Sequence, residues 1–327
     1  MFERGLWHPV ALHSELQSAP LAVRLLEQDL VLWRDSAGAP HAWVDRCPHR
    51  GAQLSLGQVR QDRLECPYHG WQFDPHGQCQ RIPALPELKP PAGYCVQAFE
   101  VQEQHGLLWV RLDAAEQAAP IPAFPAADSG LRLLNCGPYD VATSAPRVVE
   151  NFLDMAHFSF IHEGWLGAAA HPEIEPYEVL ETPTSLKATG CRAWQPRSSL
   201  HATGAAQVEY SYEVHSPYSA VLTKVPEAGS TRIADWREAI GLFICPISPE
   251  SCRVWFRLAV ADHDSSDEAL AAFQHTIFCQ DQPVLESQQP KRLPLGARSE
   301  LHTPVDRLCV AYRRYLQRMN ITFGVCP

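Results

Sequence analysis

The sequence predicts an α+β protein in two domains: an all-β unit over residues 1–115, then an α+β unit with an antiparallel sheet and helices over residues 116–327. Three observations carry this reading. The first third alternates β-rich runs with turn residues; an Ala/Pro-rich stretch from Ala114 to Ala127 interrupts regular structure; helical and strand periodicities occur together only beyond it. A chain of 327 residues also suits two hydrophobic cores better than one.

In chain order, 21–26 and 30–33 read as strands, with turn material at 35–40 completing a hairpin signature. Residues 106–113 form a further strand, and the prolines that follow exclude helix or central strand, which places the junction near residue 115. Residues 147–161 have helical character and no proline, while 207–214 and 252–260 alternate as strands do. After Ser265-Ser266-Asp267, a helix start, Phe273, Ile277, Asp281 and Leu285 recur every four residues and share a face. Pro283 should kink or end that helix near Asp281. Arg313-Arg314 reads as the solvated face of a terminal helix.

Composition narrows the function classes. With 46% hydrophobic and 20% charged residues and no run of eighteen apolar residues, the chain reads as an ordinary globular protein without a membrane span. A net charge of −10 argues against nucleic acid or an anionic membrane as partner. The N-terminal residues lack a basic leader and apolar run, so a cytoplasmic location is expected. Eleven cysteines, an odd number, suggest reduced thiols; Cys79, Cys95, Cys136, Cys191, Cys245, Cys252, Cys279, Cys309 and Cys326 show no metal spacing and are read as small core residues.

The most specific signal is Cys47-Pro48-His49, followed after sixteen intervening residues by Cys66-Pro67-Tyr68-His69-Gly70-Trp71. Two thiolates and two imidazoles suit a [2Fe–2S] centre with one iron of each ligand type, and the neutral ligands raise its potential. Pro48, Pro67 and Gly70 are turn-formers able to hold such loops rigid. A structural zinc site is the alternative, but zinc sites usually show Cys-x₂₋₄-Cys and His-x₃₋₅-His spacing, which this is not.

A second constellation follows. Asn151, Asp154 and His157 fall at intervals of three, and His162 comes five residues later. On an ideal helix His157 and His162 point about 140° apart, so joint ligation requires a bulge or a helix end near Glu163-Gly164. Two imidazoles and one carboxylate with open positions make a facial triad for Fe(II) and dioxygen. Asp281 is the favoured carboxylate because it interrupts an apolar stripe where an unpaired charge is costly; a role at the end of a kinked helix is the competing reading.

Cys47-Pro48-His49-Arg50-Gly51 with Cys66-Pro67-Tyr68-His69-Gly70-Trp71 resembles the cluster-binding motif of Rieske non-haem iron oxygenases. Asn151-x-x-Asp154-x-x-His157-x₄-His162 resembles the iron-binding helix of the same family. The likeness extends over almost the whole chain, through Trp7-His8-Pro9-Val10 and Phe160 to Gly167. It is nearest the short members, such as methylxanthine N-demethylases and the hydroxylases of saxitoxin biosynthesis.

The resemblance implies a Rieske domain followed by a catalytic domain. Cys47 and Cys66 would hold one cluster iron, His49 and His69 the other. His157, His162 and Asp281 would hold the mononuclear Fe(II), Asn151 would lie behind them, and Asp154 would link His157 by hydrogen bonds to a Rieske histidine of the neighbouring subunit, a path that implies a homotrimer. With no Gly-x-Gly-x-x-Gly fingerprint in the chain, electrons would come from an external ferredoxin and/or NAD(P)H-dependent reductase. Expected is monooxygenation, as hydroxylation or oxidative demethylation, of a small cyclic or heterocyclic molecule with O2. A cis-dihydroxylating dioxygenase and a non-catalytic Rieske electron carrier are the alternatives. Phe158, Trp165, Leu166 and strands after residue 200 are the expected pocket walls.

Overall fold

The computed structural model describes residues 1–114, 119–124, 130–232, 237–296 and 298–327. The chain divides into two compact units, Arg4–Ile121 and Pro122–Pro327, the second joined by Met1–Glu3. The junction expected near residue 115 lies outside the described residues.

The first unit is all-β. Its strands are β1 (His8–Leu12), β2 (Leu21–Leu25), β3 (Gln28–Arg34), β4 (Pro40–Val44), β5 (Gln58–Arg60), β6 (Arg63–Glu65), β7 (Gln72–Phe73), β8 (Cys79–Arg81), β9 (Ala98–Gln104) and β10 (Leu107–Arg111). They form a six-stranded sheet, β1-β10-β9-β4-β3-β2, and a four-stranded one, β5-β6-β7-β8. The expected turn between β3 and β4 is stapled by the Asp35 carboxylate, which accepts from the Ala39 N–H at 2.9 Å. A second hairpin went unseen: Leu26 and Glu27 turn β2 into β3 at φ 49° and 63°. No Gly or Asn marks that turn, and it holds because Leu25 and Leu26 on its inner side are buried. Trp33, Trp43, Leu54, Leu64 and Phe73 fill the core, and Cys47 and Cys66 pack into the same cluster.

The second unit is built on one antiparallel sheet of seven strands: β11 (Arg132–Val141), β12 (Glu178–Glu181), β13 (Leu186–Gln195), β14 (Ala206–Ser216), β15 (Ser219–Pro226), β16 (Glu238–Ser248) and β17 (Ser251–Val260). Their order is β11-β17-β16-β15-β14-β13-β12. Helices α1 (Ala145–Leu153), α2 (Phe158–Ile161), α3 (Asp267–Ser287) and α4 (Arg307–Arg318) accompany it, and β18 (Leu293–Pro294) pairs with β19 (Val325–Cys326). Helix α1 packs on β15 and β16 and against α3, which lies on β11.

Two helices depart from expectation. The segment 147–161 is not continuous: α1 stops at Asp154, whose ψ of 136° is extended, and α2 restarts at Phe158. The Asp154 carboxylate accepts from the Ala156 N–H at 2.9 Å, offering the backbone a turn in place of the next helical bond. Of the two outcomes expected at Pro283, a kink or an end near Asp281, the end is not found: helix α3 continues past Pro283 to Ser287. Tertiary contacts offset the hydrogen bond that Pro283 removes: Leu285 is buried, the Gln282 amide donates to the Asp140 carbonyl at 3.0 Å, and Glu286 accepts from the Ala142 N–H at 3.1 Å.

The expected solvated arginine pair also divides. Arg314 is exposed and bonded to Glu181, but Arg313 is buried between Glu150, at 2.6 Å, and Glu300. Arg147 on α1 reaches Glu300 as well, at 2.7 Å. Helical periodicity could not reveal this, because the carboxylates come from elements far apart in sequence. Removing one partner of a buried network strands the other charges, so Arg313→Met should lower unfolding stability by about 3 kcal/mol. Urea denaturation of the variant and the parent measures this.

Candidate metal centres

Two loops with matching backbone hydrogen bonds carry the Cys-x-His motif at Cys47 and the Cys-x₂-His motif at Cys66. In the first, the Cys47 N–H donates to the Ala52 carbonyl at 2.8 Å and the Gly51 N–H to the Cys47 carbonyl at 2.9 Å. In the second, the Cys66 N–H donates to the Trp71 carbonyl at 2.8 Å and the Gly70 N–H to the Cys66 carbonyl at 3.1 Å. Gly51 and Gly70 occupy matching left-handed positions, φ 74° and 68°, which a side chain would strain. Each loop therefore offers one sulfur at the same place and one imidazole, two residues on at His49 and three residues on at His69.

Cys47 and Cys66 are buried; His49 is half-buried and His69 exposed. The two imidazoles lie edge to face with centroids 4.6 Å apart, and Trp71 stacks on His49 at 4.5 Å. Burial pushes the Cys47 thiol up to about 11, with Cys66 beside it adding to the rise. A bound metal cation would favour the thiolate that burial of Cys47 opposes. The Nδ1 of His49 is buried without a hydrogen-bond partner among the described residues, an orphaned atom that a metal bond would satisfy. The four side chains do not converge on one ion: among the described residues, the set of candidate ligand atoms lying within 4.8 Å of one another is His157, His162 and Asp281. The donor set thus fits a two-iron cluster rather than a single tetrahedral zinc.

The second site is assembled from α2, its flanks and α3. Because α1 breaks at Asp154, His157 and His162 flank the single turn of α2, and their Nε2 atoms come within 3.2 Å. The Asp281 Oδ1 lies 3.5 Å from the first and 3.3 Å from the second. With bonds of about 2.1 Å, neighbouring ligand atoms around one ion lie about 3.0 Å apart at right angles, so this trio suits one face of a metal ion.

Second contacts orient each ligand. The His157 Nδ1 is 3.1 Å from the Asp154 Oδ2, the His162 Nδ1 is 2.8 Å from the Gln280 Oε1, and Asn151 donates to the Asp281 Oδ1 at 3.2 Å. Each oxygen assigns the proton to Nδ1 and leaves the Nε2 lone pair facing the centre. Burial opposes ionisation of Asp154, but the His157 ring and the Ala156 N–H outweigh it and hold the carboxyl below its usual range.

These three side chains line a pocket between the helices and the sheet. Phe158 and Leu166 line it as expected, with Leu222, Ile240 and Phe256 from the strands. Trp165 does not; it meets Phe273 edge to face at 5.5 Å, under the Arg197 guanidinium. Sequence reading missed Gln280, which only its distance from His162 distinguishes, and it missed Tyr210, Lys224 and Glu238, polar residues on the pocket wall. It also missed Gly167, where a Cβ would meet the Phe158 carbonyl carbon and the Ser159 nitrogen at 2.5 Å, so the loop after His162 closes on α2 only without a side chain.

The cysteines outside the motif are free thiols. Cys79, Cys136, Cys191, Cys245, Cys252 and Cys309 are buried, whereas Cys95 and Cys279 are exposed. Cys279 lies two residues before Asp281, about 200° around the helix from the inward face, and touches His275 instead.

Residues 6–99 match the Rieske [2Fe-2S] domain family, and residues 141–320 match the vanillate O-demethylase oxygenase C-terminal domain family. The chain is 35% identical to the methylxanthine N1-demethylase NdmA of Pseudomonas putida, over 97% of its own length and 89% of that protein. It is 31% identical to the methylxanthine N3-demethylase NdmB of the same species, over 98% and 90%. The solved structure of Pseudomonas putida CBB5 NdmA with caffeine superposes with a TM-score of 0.84 at 33% identity, covering 97% of this chain and 90% of that one.

The Gln280 contact gives a direct test. Gln280→Leu removes the acceptor that orients His162 while keeping helical propensity, and iron affinity of the second site should fall by about 10- to 100-fold. Competitive chelation with metal analysis reads this, and sulfide content should not change.

Proposed function

The chain belongs to the Rieske oxygenases with a vanillate O-demethylase-type C-terminal domain, and on that premise we propose which of its residues perform the chemistry. It is a non-haem iron monooxygenase with a Rieske [2Fe–2S] cluster and a mononuclear iron, acting on a small molecule with O2 and a reductase partner. In our reading its substrate is a small aromatic or heterocyclic molecule that it demethylates or hydroxylates. Cys47 and Cys66 hold one cluster iron, and His49 and His69 the other. His157, His162 and Asp281 hold the mononuclear iron, with Asn151 fixing Asp281. The observation that carries this reading is the convergence of two imidazole Nε2 atoms and one carboxylate oxygen on a largely apolar pocket.

When bound, the iron supplies the activation of dioxygen next to the substrate. The chain's own residues do the rest. His69 is exposed, so its edge is available for electron exchange with the external ferredoxin and/or reductase. Asp154 accepts the Nδ1 proton of His157 and has its other oxygen on a backbone N–H, which fits it to relay electrons from a Rieske histidine of the neighbouring subunit in a homotrimer. The apolar walls exclude water and hold one C–H bond toward the ligand face. Insertion of one oxygen atom uses two electrons and two protons, with the other atom leaving as water. Where the carbon is a methyl on nitrogen or oxygen, the hydroxymethyl product loses formaldehyde, and the net reaction is demethylation.

Metal and sulfide analysis with EPR of the dithionite-reduced protein, purified without oxygen, tests the two-site assignment. About three irons per chain and a rhombic reduced-cluster signal are expected, with one iron missing and the signal unchanged in His157→Ala. Two irons in both proteins after Fe(II) reconstitution would favour a bare electron carrier, and zinc without sulfide would refute the assignment. Turnover under ¹⁸O₂ should place one labelled atom per organic product; two would identify a dihydroxylase. Asp154→Asn, compared after Fe(II) reconstitution to equal iron content, should slow product formation by about 10- to 100-fold, the range for loss of a contact behind a metal ligand, seen as a cluster that stays reduced under O2.

A further inference from the structure

Three polar side chains stand side by side on the pocket wall. Tyr210 on β14, Lys224 on β15 and Glu238 on β16 are consecutive cross-strand partners, so all three face the same side of the sheet. The next row along, Tyr212, Leu222, Ile240 and Leu258, carries no charge. Lys224 and Glu238 are 3% and 9% exposed, deep enough for an idle ion pair to be costly. Burial lowers the Lys224 ammonium and raises the Glu238 carboxyl, each partly offset by the other.

The pair is not closed. The Lys224 Nζ donates to the Ser198 carbonyl, but it lies 3.9 Å from the nearest Glu238 oxygen, too far for a hydrogen bond. An ammonium has three donors and a carboxylate about four acceptor positions, so both keep unused capacity facing the pocket. A purely structural pair would close to about 2.8 Å. Tyr210 adds another open valence: its hydroxyl oxygen accepts from the Gln195 amide at 2.6 Å, which leaves its own proton free to donate.

A donor beside an acceptor, spaced apart and flanked by Leu222, Ile240 and Phe256, matches a flat ring whose edge carries a carbonyl next to an N–H. Resting on the oxygenase reading, we propose that Lys224 and Glu238 form the substrate's polar anchor and select an uncharged heterocycle with a lactam edge. The ring carbonyl accepts from Lys224 and the adjacent N–H donates to Glu238. A substrate carboxylate is disfavoured because it would bring a like charge onto Glu238. Anchoring this edge on the strands turns the rest of the ring toward the helices that carry His157, His162 and Asp281. The anchored nitrogen must therefore bear hydrogen, and the carbon oxidised lies elsewhere on the ring.

Equilibrium binding to the iron-loaded holoprotein, measured by calorimetry without reductant, tests this apart from turnover. The ligands are lactams paired with their N-methyl counterparts: theobromine with caffeine, and 2-pyridone and uracil with their N-methyl forms, with vanillate as the carboxylate. At least one N–H member should bind about tenfold or more tighter than its N-methyl partner, because a buried acceptor left unpaired penalises the analogue. Glu238→Leu should bring that ratio to within about twofold at unchanged iron content, whereas Lys224→Met should weaken both members alike. If no N–H member outbinds its partner, or if vanillate binds tightest, the proposal is overturned; the wild-type ratio decides this even if a variant fails to fold. If the discrimination holds but the reduced protein oxidises no bound ligand, the anchor stands and the oxygenase reading falls.

Discussion

The catalytic unit depends on one local constraint: the helix that begins at Ala145 must stop at Asp154. An unbroken helix would point His157 and His162 about 140° apart. The Asp154 carboxylate diverts the chain by accepting the Ala156 N–H, and the same carboxylate takes the Nδ1 proton of His157. One side chain thus shapes the backbone and fixes the tautomer of His157, and in the proposed function it would also relay charge. Its carboxyl is held below the usual range despite its burial, so it stays an acceptor at neutral pH.

The rest of the unit holds that geometry in place. Helix α3 supplies Asp281 and Gln280 from adjacent positions, one facing the centre and the other behind His162. It can do so because it runs unbroken past Pro283, tied to β11 and the loop after it through Gln282 and Glu286. Gly167 lets the chain after His162 return against α2, and α1 is locked from behind by the buried arginines Arg147 and Arg313 with the half-buried Glu150 and Glu300. Rigid surroundings of this kind hold ligands within the tolerance that metal chemistry requires.

The cluster loops solve a different problem by repetition. Both use the same pair of backbone hydrogen bonds and a left-handed glycine four residues after the cysteine. The thiols are thereby sunk into the β core while the imidazole edges stay near the surface. That division suits a redox centre whose sulfurs need a dry environment and whose outer edge must pass electrons.

The sequence by itself determined the metals, the family and the domain order, because the Cys-x-His and Cys-x₂-His pairs and the Asn151 to His162 spacing are short-range patterns whose residue types admit few chemistries. It also made Asp281 conspicuous, as a charge on an apolar stripe. Only the tertiary structure decided where the helix breaks, that Pro283 does not end α3, that Arg313 is buried, and that Gln280, Lys224 and Glu238 face the site. The reason is physical. Each of these outcomes rests on contacts between residues far apart in the chain, such as Gln280 with His162 or Arg313 with Glu150, and periodicity reports only neighbours within a turn or along a strand.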